Sequence, residues 1–313
     1  MHVVMGALAR RLGFAAVAPL ALVAGCGGSG TAGDVDLSWA QWPMPNGATD
    51  VAAGAPNPFA YAASGDGVVT DEITGLMWQQ GVSATLRTWT EALATCSTLT
   101  LAGHDDWRVP TEIEIISLVD GSAASGPTID ATAFPGTAEG YYWSSLPMAD
   151  SPDNAWLVDF ITGSAYAAAV DGPQHVRCVR TARAAAPDRG YTVTGETVYD
   201  PRTRLTWQRS APTTMYGPDD ARTTCASADL ATALGGAGWR LPTVKELATL
   251  VDYSVPPPGP TIDAAAFPDT PGAFFWSSSQ LPGPLPGPGF VHFANGHATN
   301  YADGPTSYVR CVR

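Results

Sequence analysis

The sequence predicts an α+β protein made of two tandem copies of one domain, each with two short helices and several antiparallel strands. Three observations support this prediction. A set of motifs occurs twice in the same order, Thr and Glu stand three residues apart at places typical of helix starts, and aromatic and β-branched stretches lie between Gly and Pro. Short helices beside antiparallel strands make each copy α+β.

The internal repeat spans most of the chain. Cys96 has its counterpart at Cys225, 129 residues later, and the segment 176–180 recurs as 309–313. A period this long indicates tandem globular domains, because solenoid units are roughly 20–50 residues long. The other matched motifs are 75–79 with 204–208, 107–111 with 239–243, and 143–145 with 276–278. An Ala-rich link of low complexity at 182–187 separates the copies, so the domains are placed at 57–182 and 190–313.

The first 25 residues have the pattern of a secretory signal peptide. Two arginines precede an apolar run, 12–23, that is too short to span a membrane and ends in small residues. The segment Leu-Val-Ala-Gly-Cys at 22–26 resembles the lipobox of bacterial lipoproteins, which implies that Cys26 is acylated. Acyl chains hold a protein on a membrane without a transmembrane helix. We therefore expect an exported lipoprotein of the outer membrane or cell surface, and an ordinary signal peptide is the alternative.

Composition and charge restrict the function further. Residues 26–56 are rich in Gly, Ala, Pro, Asn and Ser, which predicts a flexible tether between the lipid and the folded domains. The chain has 16 basic and 29 acidic residues, and its net charge of −13 becomes −15 without residues 1–25. A protein this acidic repels nucleic acid at long range, so no nucleic-acid partner is expected.

Threonine and glutamate pairs predict where the helices begin. In a capping box the Thr oxygen accepts from a first-turn amide and the Glu reaches back, which stabilises the helix by about 1 kcal/mol. The pairs with this spacing are Thr88 with Glu91, Thr111 with Glu114, and Thr243 with Glu246. Apolar residues at helical spacing follow the last two pairs and are expected to be buried. They are Ile115, Leu118 and Val119 in the first copy and Leu247, Leu250 and Val251 in the second. Segments 141–143, 155–160 and 290–293 are predicted strands.

Four cysteines remain once Cys26 is assigned to the lipid, and four cysteines allow three connectivities. The repeat favours pairing within each copy, because Cys96 and Cys178 occupy the same two places as Cys225 and Cys311. Such bridges form in oxidising compartments. Each would close a loop of about 80 residues and stabilise its domain by about 4 kcal/mol on the chain-entropy model. A metal site is the alternative, but the short spacing typical of metal ligands is absent.

The repeated motifs together resemble a known domain family. The motifs at 75–79, 106–111, 129–130, 142–145 and 176–180 are similar to those of the family named for the C-terminal domain of the Legionella collagen-like adhesin. The resemblance covers both copies. It implies a variant of the C-type lectin-like fold, in which a disulfide commonly joins the first helix to the last strand. It also implies a surface adhesion or ligand-binding role, although the sulfated polysaccharides bound by some members require a basic surface.

Two sets of repeated residues are candidates for ligand contact. The Arg of the Trp-Arg-x-Pro-Thr motif, Arg108 or Arg240, could bind a carboxylate ligand, and the favoured alternative is a pair with an internal acid such as Asp130 or Asp263. The repeated tryptophans could form a sugar-stacking platform, and the favoured alternative is that they belong to the core. These are Trp78, Trp107, Trp143, Trp207, Trp239 and Trp276.

We expect ligand contacts on the loops 146–155 and 280–289, because these loops separate repeated framework strands and differ completely in composition. The first loop carries Asp150, Asp153 and Asn154, the candidate ligand-binding residues, and a solvated loop is the alternative. The second loop consists mainly of Pro and Gly. The acidic balance favours an uncharged glycan or a basic patch of an envelope protein as the ligand.

The sequence predicts a non-catalytic cell-envelope lipoprotein with no cofactor and no metal. The calcium-binding triplets of sugar-binding C-type lectins, a phosphate loop and a Gly-x-Ser-x-Gly elbow are all missing. A structural envelope protein without a small ligand stays an alternative. So does an enzyme on the related fold of formylglycine-generating enzymes, which need a reactive cysteine pair, whereas the thiols of this chain are assigned to disulfides and to the lipid.

Overall fold

The structure, a computed structural model, describes residues 39–123, 126–181, 189–282, 286–300 and 306–313. All of these residues fall within one compact unit. The predicted signal peptide, Cys26 and the link at 182–187 lie outside the described residues. Within the described ranges, every helix is too short or too polar to cross a membrane.

The tether predicted over residues 26–56 is structured in its described part, which starts at Trp39. A short helix, α1 (Ala48–Ala52), lies in this segment. Trp39, Trp42 and Met44 are buried in the core. The prediction of flexibility is corrected there, because three large apolar side chains gain more from burial than the many small residues around them lose in conformational freedom.

The described residues of the first copy include two helices and seven strands. In chain order they are β1 (Tyr61–Ala63), β2 (Val68–Asp71), β3 (Leu76–Gln79), α2 (Trp89–Ser97), α3 (Glu112–Ser117), β4 (Tyr141–Met148), β5 (Ser151–Asp159), β6 (Ser164–Ala169) and β7 (Val179–Thr181). The strands form two antiparallel sheets, in the orders β1-β2-β3-β7 and β4-β5-β6. Strand β7 from the end of the copy thus pairs with β3 near its beginning.

The described residues of the second copy include three helices and six strands. In chain order they are β8 (Thr192–Thr194), β9 (Thr197–Asp200), β10 (Leu205–Gln208), α4 (Pro218–Cys225), α5 (Ala228–Leu234), α6 (Val244–Ala248), β11 (Phe274–Leu281), β12 (Gly287–His292) and β13 (His297–Thr299). The sheet orders are β10-β9-β8 and β11-β12-β13. Val312 bridges to Trp207 and Arg240, so the chain end takes the place that β7 has in the first copy.

The predicted class, α+β in two tandem copies, is confirmed, and two details differ. Each copy has two small sheets rather than one, because β4, β5 and β6, like β11, β12 and β13, pair only among themselves. The second copy also has an additional helix, α5. Three extra residues between Cys225 and Trp239, relative to the first copy, accompany this helix, and Ser227 caps its start by accepting from the Leu230 amide at 3.2 Å.

The predicted helix starts are confirmed. Helix α2 begins after Thr88, whose hydroxyl accepts from the Glu91 amide at 3.4 Å while the Thr88 amide donates to the Glu91 carboxylate at 2.9 Å. The second of these hydrogen bonds also forms at Thr111, before α3, and both form at Thr243, before α6. The apolar residues predicted to follow the last two Thr–Glu pairs are at most 2% exposed. Local spacing was therefore sufficient to locate these helices.

One disulfide closes each copy. Cys96 in α2 is bonded to Cys178 beside β7, and Cys225 in α4 is bonded to Cys311 beside the chain end. The Cα–Cα distances of 5.5 Å and 5.4 Å are ordinary for disulfides. These are the pairs that the repeat favours, and the four cysteines within the described ranges are all used in them.

The two copies pack against each other through equivalent elements. Helix α3 contacts α6, and β6 lies beside β13. A single apolar core contains residues of both copies and of the segment that precedes them. Within it, Trp156 of the first copy packs edge-on against Tyr253 of the second, with ring centroids 5.3 Å apart. The described parts of the two copies are thus joined by a shared hydrophobic core.

Candidate functional site

The predicted ligand residues lie at the end of the β4–β5 hairpin. Asp150 and Asp153 are exposed, and Asn154 is half-buried and donates to the Ser151 hydroxyl at 2.8 Å. Over the described ranges, no three His, Cys, Asp or Glu side chains come together as a metal site would require. The three residues share an exposed hairpin end, and none of them lines the cavity beside Trp39 or the cavity beside Tyr141.

The loop predicted to carry ligand contacts in the second copy is buried in part. Leu281 is 1% exposed and lies against Gly121 and Gly163 of the first copy. Gly287 and Gly289, on the other side of the hairpin, are also buried. Gln280 and Pro286 are exposed, so ligand contact on this loop stays a prediction, although the buried Leu281, Gly287 and Gly289 are not accessible for it.

The repeated tryptophans belong to the core. Trp78, Trp143, Trp207 and Trp276 are among the largest fully buried side chains, and Trp107 and Trp239 are 2% and 4% exposed. A sugar-stacking platform requires an open ring face, which these side chains do not offer. Burial of the hydrophobic rings explains their occurrence at the same places in both copies.

The repeated Arg108 and Arg240 pair with an internal acid, but with a different one than expected. Arg108 donates to both oxygens of Glu114, at 2.6 Å and 2.5 Å, and Arg240 makes the same two hydrogen bonds to Glu246 at 2.7 Å. Asp130 and Asp263, the expected partners, instead accept from backbone amides of their own turns. The capping box already fixes the glutamate beside its helix start, which brings that carboxylate within reach of the arginine.

Sequence reasoning missed two fully buried arginines, Arg177 and Arg310, although the repeated Val-Arg-Cys-Val-Arg motif contains both. Arg177 donates to the Gln79 carbonyl at 2.6 Å and to the Thr137 hydroxyl at 2.7 Å, and its guanidinium lies 4.8 Å from the centroid of the Phe134 ring. Arg310 has the corresponding contacts in the second copy. Burial lowers the pKa of Arg177 to about 10 and that of Arg310 to about 9. Both side chains serve the framework rather than a ligand.

A cleft of about 650 Å³ is the best candidate for a binding site. The buried segment before the first copy, strand β8 and the turn after Ile262 form its walls. Its chemically informative lining residues are Trp39, Arg189, Tyr191, Asp252 and Asp263. No local sequence pattern predicts this cleft, because its walls come from three separate parts of the chain.

The cleft is rich in hydrogen-bond acceptors, and the Tyr191 hydroxyl, which accepts from Arg189 at 3.3 Å, lines it as well. Arg189 directs its guanidinium to the carbonyl oxygens at the end of α6, at 2.7 Å from that of Val251, and stacks on Trp39 at 5.4 Å. Asp252 and Asp263 each accept turn hydrogen bonds through Oδ1, and their Oδ2 atoms have no hydrogen bond within the described residues. A ligand that donates hydrogen bonds, through hydroxyl or cationic groups, fits this arrangement.

Comparison with known proteins assigns the repeated unit. The family model of the Lcl C-terminal domain matches residues 67–180 and again residues 196–313. A search of curated proteins finds no match. The family is adhesin-related, which suggests an adhesin-like surface or exported protein rather than an enzyme. Since the two matches cover well over half of the sequence and coincide with the repeated motifs, the chain belongs to the Lcl C-terminal domain family and carries two tandem copies of that domain.

Proposed function

We propose that the protein is a non-catalytic lipoprotein of the bacterial cell envelope, anchored through acylated Cys26 in the outer membrane or at the cell surface. The lipobox at 22–26 after a short apolar run supports the anchor, and the adhesin-related family supports a surface role. The proposal includes neither a cofactor nor a nucleic-acid partner.

Labelling cells with a fatty-acid analogue tests the anchor. The unchanged chain should incorporate the label and the Cys26→Ser variant should not. Equal labelling of the two would show that the cysteine carries no lipid.

We further propose that each copy is a variant of the C-type lectin-like fold. The disulfide from the first helix of each copy to the end of its last repeated motif supports this assignment, as does the sheet that brings the two ends of the first copy together. In such folds the framework is constant and recognition varies at the surface. This organisation agrees with two copies that share their buried motifs and differ in their exposed ones.

The observation on which the binding proposal rests is the acceptor-rich cleft. Asp252 and Asp263 line the cavity, and each has one carboxylate oxygen without a hydrogen bond to the described residues. Arg189, the arginine among the described lining residues, donates to backbone carbonyls and to the Tyr191 hydroxyl. We propose that the cleft binds the hydroxyl groups of an uncharged glycan or a basic group of an envelope protein, in an adhesin-like role. Any charge-driven part of the binding should weaken as salt rises.

A binding screen tests this proposal. The mature chain is applied at low salt to a glycan array and to immobilised envelope proteins, together with the Asp252→Asn and Asp263→Asn variants. Asp130→Asn is the matched control, because Asp130 has the same turn hydrogen bonds as Asp263 but does not line the cleft. We expect about a tenfold loss of retention in the cleft variants and none in the control.

Other results would favour other functions. Loss of retention only when Asp150, Asp153 and Asn154 are replaced by Ser would place the ligand on the hairpin end instead. Absence of any retention would favour a structural envelope protein, and turnover of a bound compound would favour an enzyme.

A further inference from the structure

A second cavity, of about 300 Å³, lies in the first copy on the sheet β4-β5-β6. Tyr141, Leu157, Tyr166, Ala168 and Gln174 line it. It shares no lining residue with the acceptor-rich cleft, so it is a separate candidate site. We refer to it as the tyrosine groove.

The strand register places the key side chains on one face of the sheet. Tyr141 is opposite Asp159 across β4 and β5, and Leu157 is opposite Tyr166 across β5 and β6. Because side chains alternate along a strand, Tyr141, Leu157 and Tyr166 point to the same side. Leu157 is buried and forms the floor, whereas Tyr141 is 42% exposed and stands at the edge. The sheet thus forms a shallow apolar groove with aromatic sides.

Polar groups without partners surround this apolar floor. The phenol hydroxyls of Tyr141 and Tyr166 and the side-chain amide of Gln174 make no hydrogen bond to other described residues. An apolar surface with a few free hydrogen-bonding groups at its rim is the usual composition of a small-molecule site. The volume lies at the lower end of the range for such sites, which corresponds to a small ligand or to part of a longer one.

The charge around the tyrosine groove excludes anionic ligands. Its described lining contains no Lys, Arg or His. The carboxylate of Asp159 lies close enough to Tyr141 that, after burial, it is the next cause of the raised pKa of that phenol. A sulfate or carboxylate group would meet this negative charge without a compensating cation. The ligand should therefore be uncharged.

We propose that the tyrosine groove binds a ring of an uncharged pyranose sugar. The C–H face of the ring would lie against Tyr141 and Tyr166, because an aromatic ring packs well on apolar C–H groups while its hydroxyl stays available for hydrogen bonds. The sugar hydroxyls would bond to the Gln174 amide and to the two phenols. This site does not depend on the cleft, and it would stand if the cleft bound nothing.

The second copy provides a matched comparison. Phe274 takes the place of Tyr141 and Thr299 that of Tyr166, so the two phenol hydroxyls are missing. The Phe274 ring stacks on His292 at a centroid distance of 4.0 Å and lies 5.8 Å from Phe290. Side chains of the protein already cover the ring there, and sugar binding is assigned to the first copy alone.

Saturation-transfer NMR on the mature chain in mild detergent tests the proposal. The probes are maltohexaose, cellohexaose and chitohexaose, which are uncharged, and a heparin hexasaccharide as the sulfated comparison. We expect saturation transfer to the ring C–H protons of at least one uncharged probe and none to the sulfated one. No transfer to any uncharged probe, or stronger transfer to heparin, would overturn the proposal.

Variants locate the binding. Tyr141→Ala, Tyr166→Ala and Gln174→Ala should each weaken binding at least fivefold, and Gln174→Ala keeps the test valid if a tyrosine variant does not fold. The matched variant Phe274→Ala should bind as the unchanged chain does. All of these variants are compared in a chain that also carries Asp252→Asn and Asp263→Asn, so that any glycan bound in the cleft does not contribute to the signal. Unchanged binding in folded Tyr141→Ala and Gln174→Ala would refute the assignment.

Discussion

The two copies share a buried framework and differ where they meet. In each copy an arginine pairs with the capping glutamate, a disulfide closes the domain, and a second arginine is buried over a phenylalanine ring. On the contacting helices, however, Glu112 and Ile113 of the first copy correspond to Val244 and Lys245 of the second. The duplicated framework therefore fixes how each copy folds, and a few unmatched residues determine how the copies associate.

The ends of the contacting helices illustrate this difference. A helix leaves its last carbonyl groups without partners, and a cation there is favourable. At the end of α3 the cation comes from the other copy, because Lys245 donates to the Ser117 and Val119 carbonyls at 3.4 Å and 2.9 Å. At the end of α6 it comes from Arg189, which directly precedes the second copy in the chain. The terminal carbonyl groups of these two equivalent helices thus accept hydrogen bonds from different residues, and the interface is asymmetric.

Glu112 is the other unmatched residue. It is fully buried, and neither of its carboxylate oxygens has a hydrogen-bond partner of good geometry within the described residues. Burial raises the pKa of Glu112 well above its ordinary value, and the nearby Ser144 hydroxyl opposes this only in part. The corresponding Val244 avoids this cost. An unpaired carboxyl group in the core reduces the stability of the first copy relative to the second.

The largest expected effect tests whether the two frameworks are energetically equal. Removing either disulfide, as Cys96→Ala with Cys178→Ala or as Cys225→Ala with Cys311→Ala, should lower the free energy of unfolding by about 4 kcal/mol. The sequence separations of 82 and 86 residues are nearly the same, so the two losses should agree. Urea unfolding of both double variants measures them. Losses that differ by a factor of two would break the equivalence.

The buried arginines extend the same test to polar contacts. Arg177→Met and Arg310→Met each leave buried carbonyl and hydroxyl acceptors without donors, and each should cost about 3 kcal/mol in urea unfolding. Arg222→Met is the control, because Arg222 is exposed and its ion pair with Asp219 is long, at 3.7 Å. We expect no measurable change for that variant. If Arg177→Met lowered the free energy of unfolding and Arg310→Met did not, the buried arginine would not stabilise the two copies equally.

Replacing Lys245 should lower the stability more than replacing its counterpart in the first copy, Ile113. Lys245→Met removes the hydrogen bonds to the end of α3 and should cost about 2 kcal/mol, whereas the matched Ile113→Met keeps an apolar side chain and should cost less than about 1.5 kcal/mol. Unfolding of both variants at neutral pH provides the comparison. Equal losses of stability in the two variants would show that Lys245 contributes only through packing of the apolar part of its side chain.

The effect of Lys245 should also depend on pH. Burial lowers the pKa of Lys245 to about 8 from its ordinary 10.5, although nearby carboxylates, chiefly Asp50, oppose the shift. Between these values the unfolded chain holds a proton that the folded chain has released, so stability gains from Lys245 as pH rises. The difference between the unchanged protein and Lys245→Met should therefore be larger at pH 10 than at pH 7. A constant difference would contradict the lowered pKa.

The smallest expected effect is a gain in stability. Glu112→Val gives the first copy the residue that the second has at this place and should raise the free energy of unfolding by about 1 kcal/mol at pH 7. The gain should shrink toward pH 4, where the unfolded chain also holds this carboxyl proton. Thermal unfolding at both pH values checks it. Val244→Glu is the reverse variant and should destabilise, and a loss of stability in Glu112→Val would mean that the carboxyl group has a favourable partner.

Much of this architecture was predictable from the sequence, because it depends on local patterns and on the repeat. The Thr88, Thr111 and Thr243 spacings located three helices, since a capping box involves only four consecutive residues. The duplicated cysteine positions selected one pairing of three, since each domain closes on itself. The position of six tryptophans within the repeated motifs also favoured a core role for them, and all six are buried. These inferences need no knowledge of which distant segments meet.

Only the tertiary structure decided the features that depend on distant contacts. Trp39, Trp42 and Met44 are buried, although composition alone predicted that their segment is flexible. Lys245 reaches the end of α3, 126 residues away in sequence, to satisfy the Val119 carbonyl. The walls of the cleft likewise come from segments far apart in the chain. The sequence determines these contacts through the total free energy of packing, which no local pattern reveals.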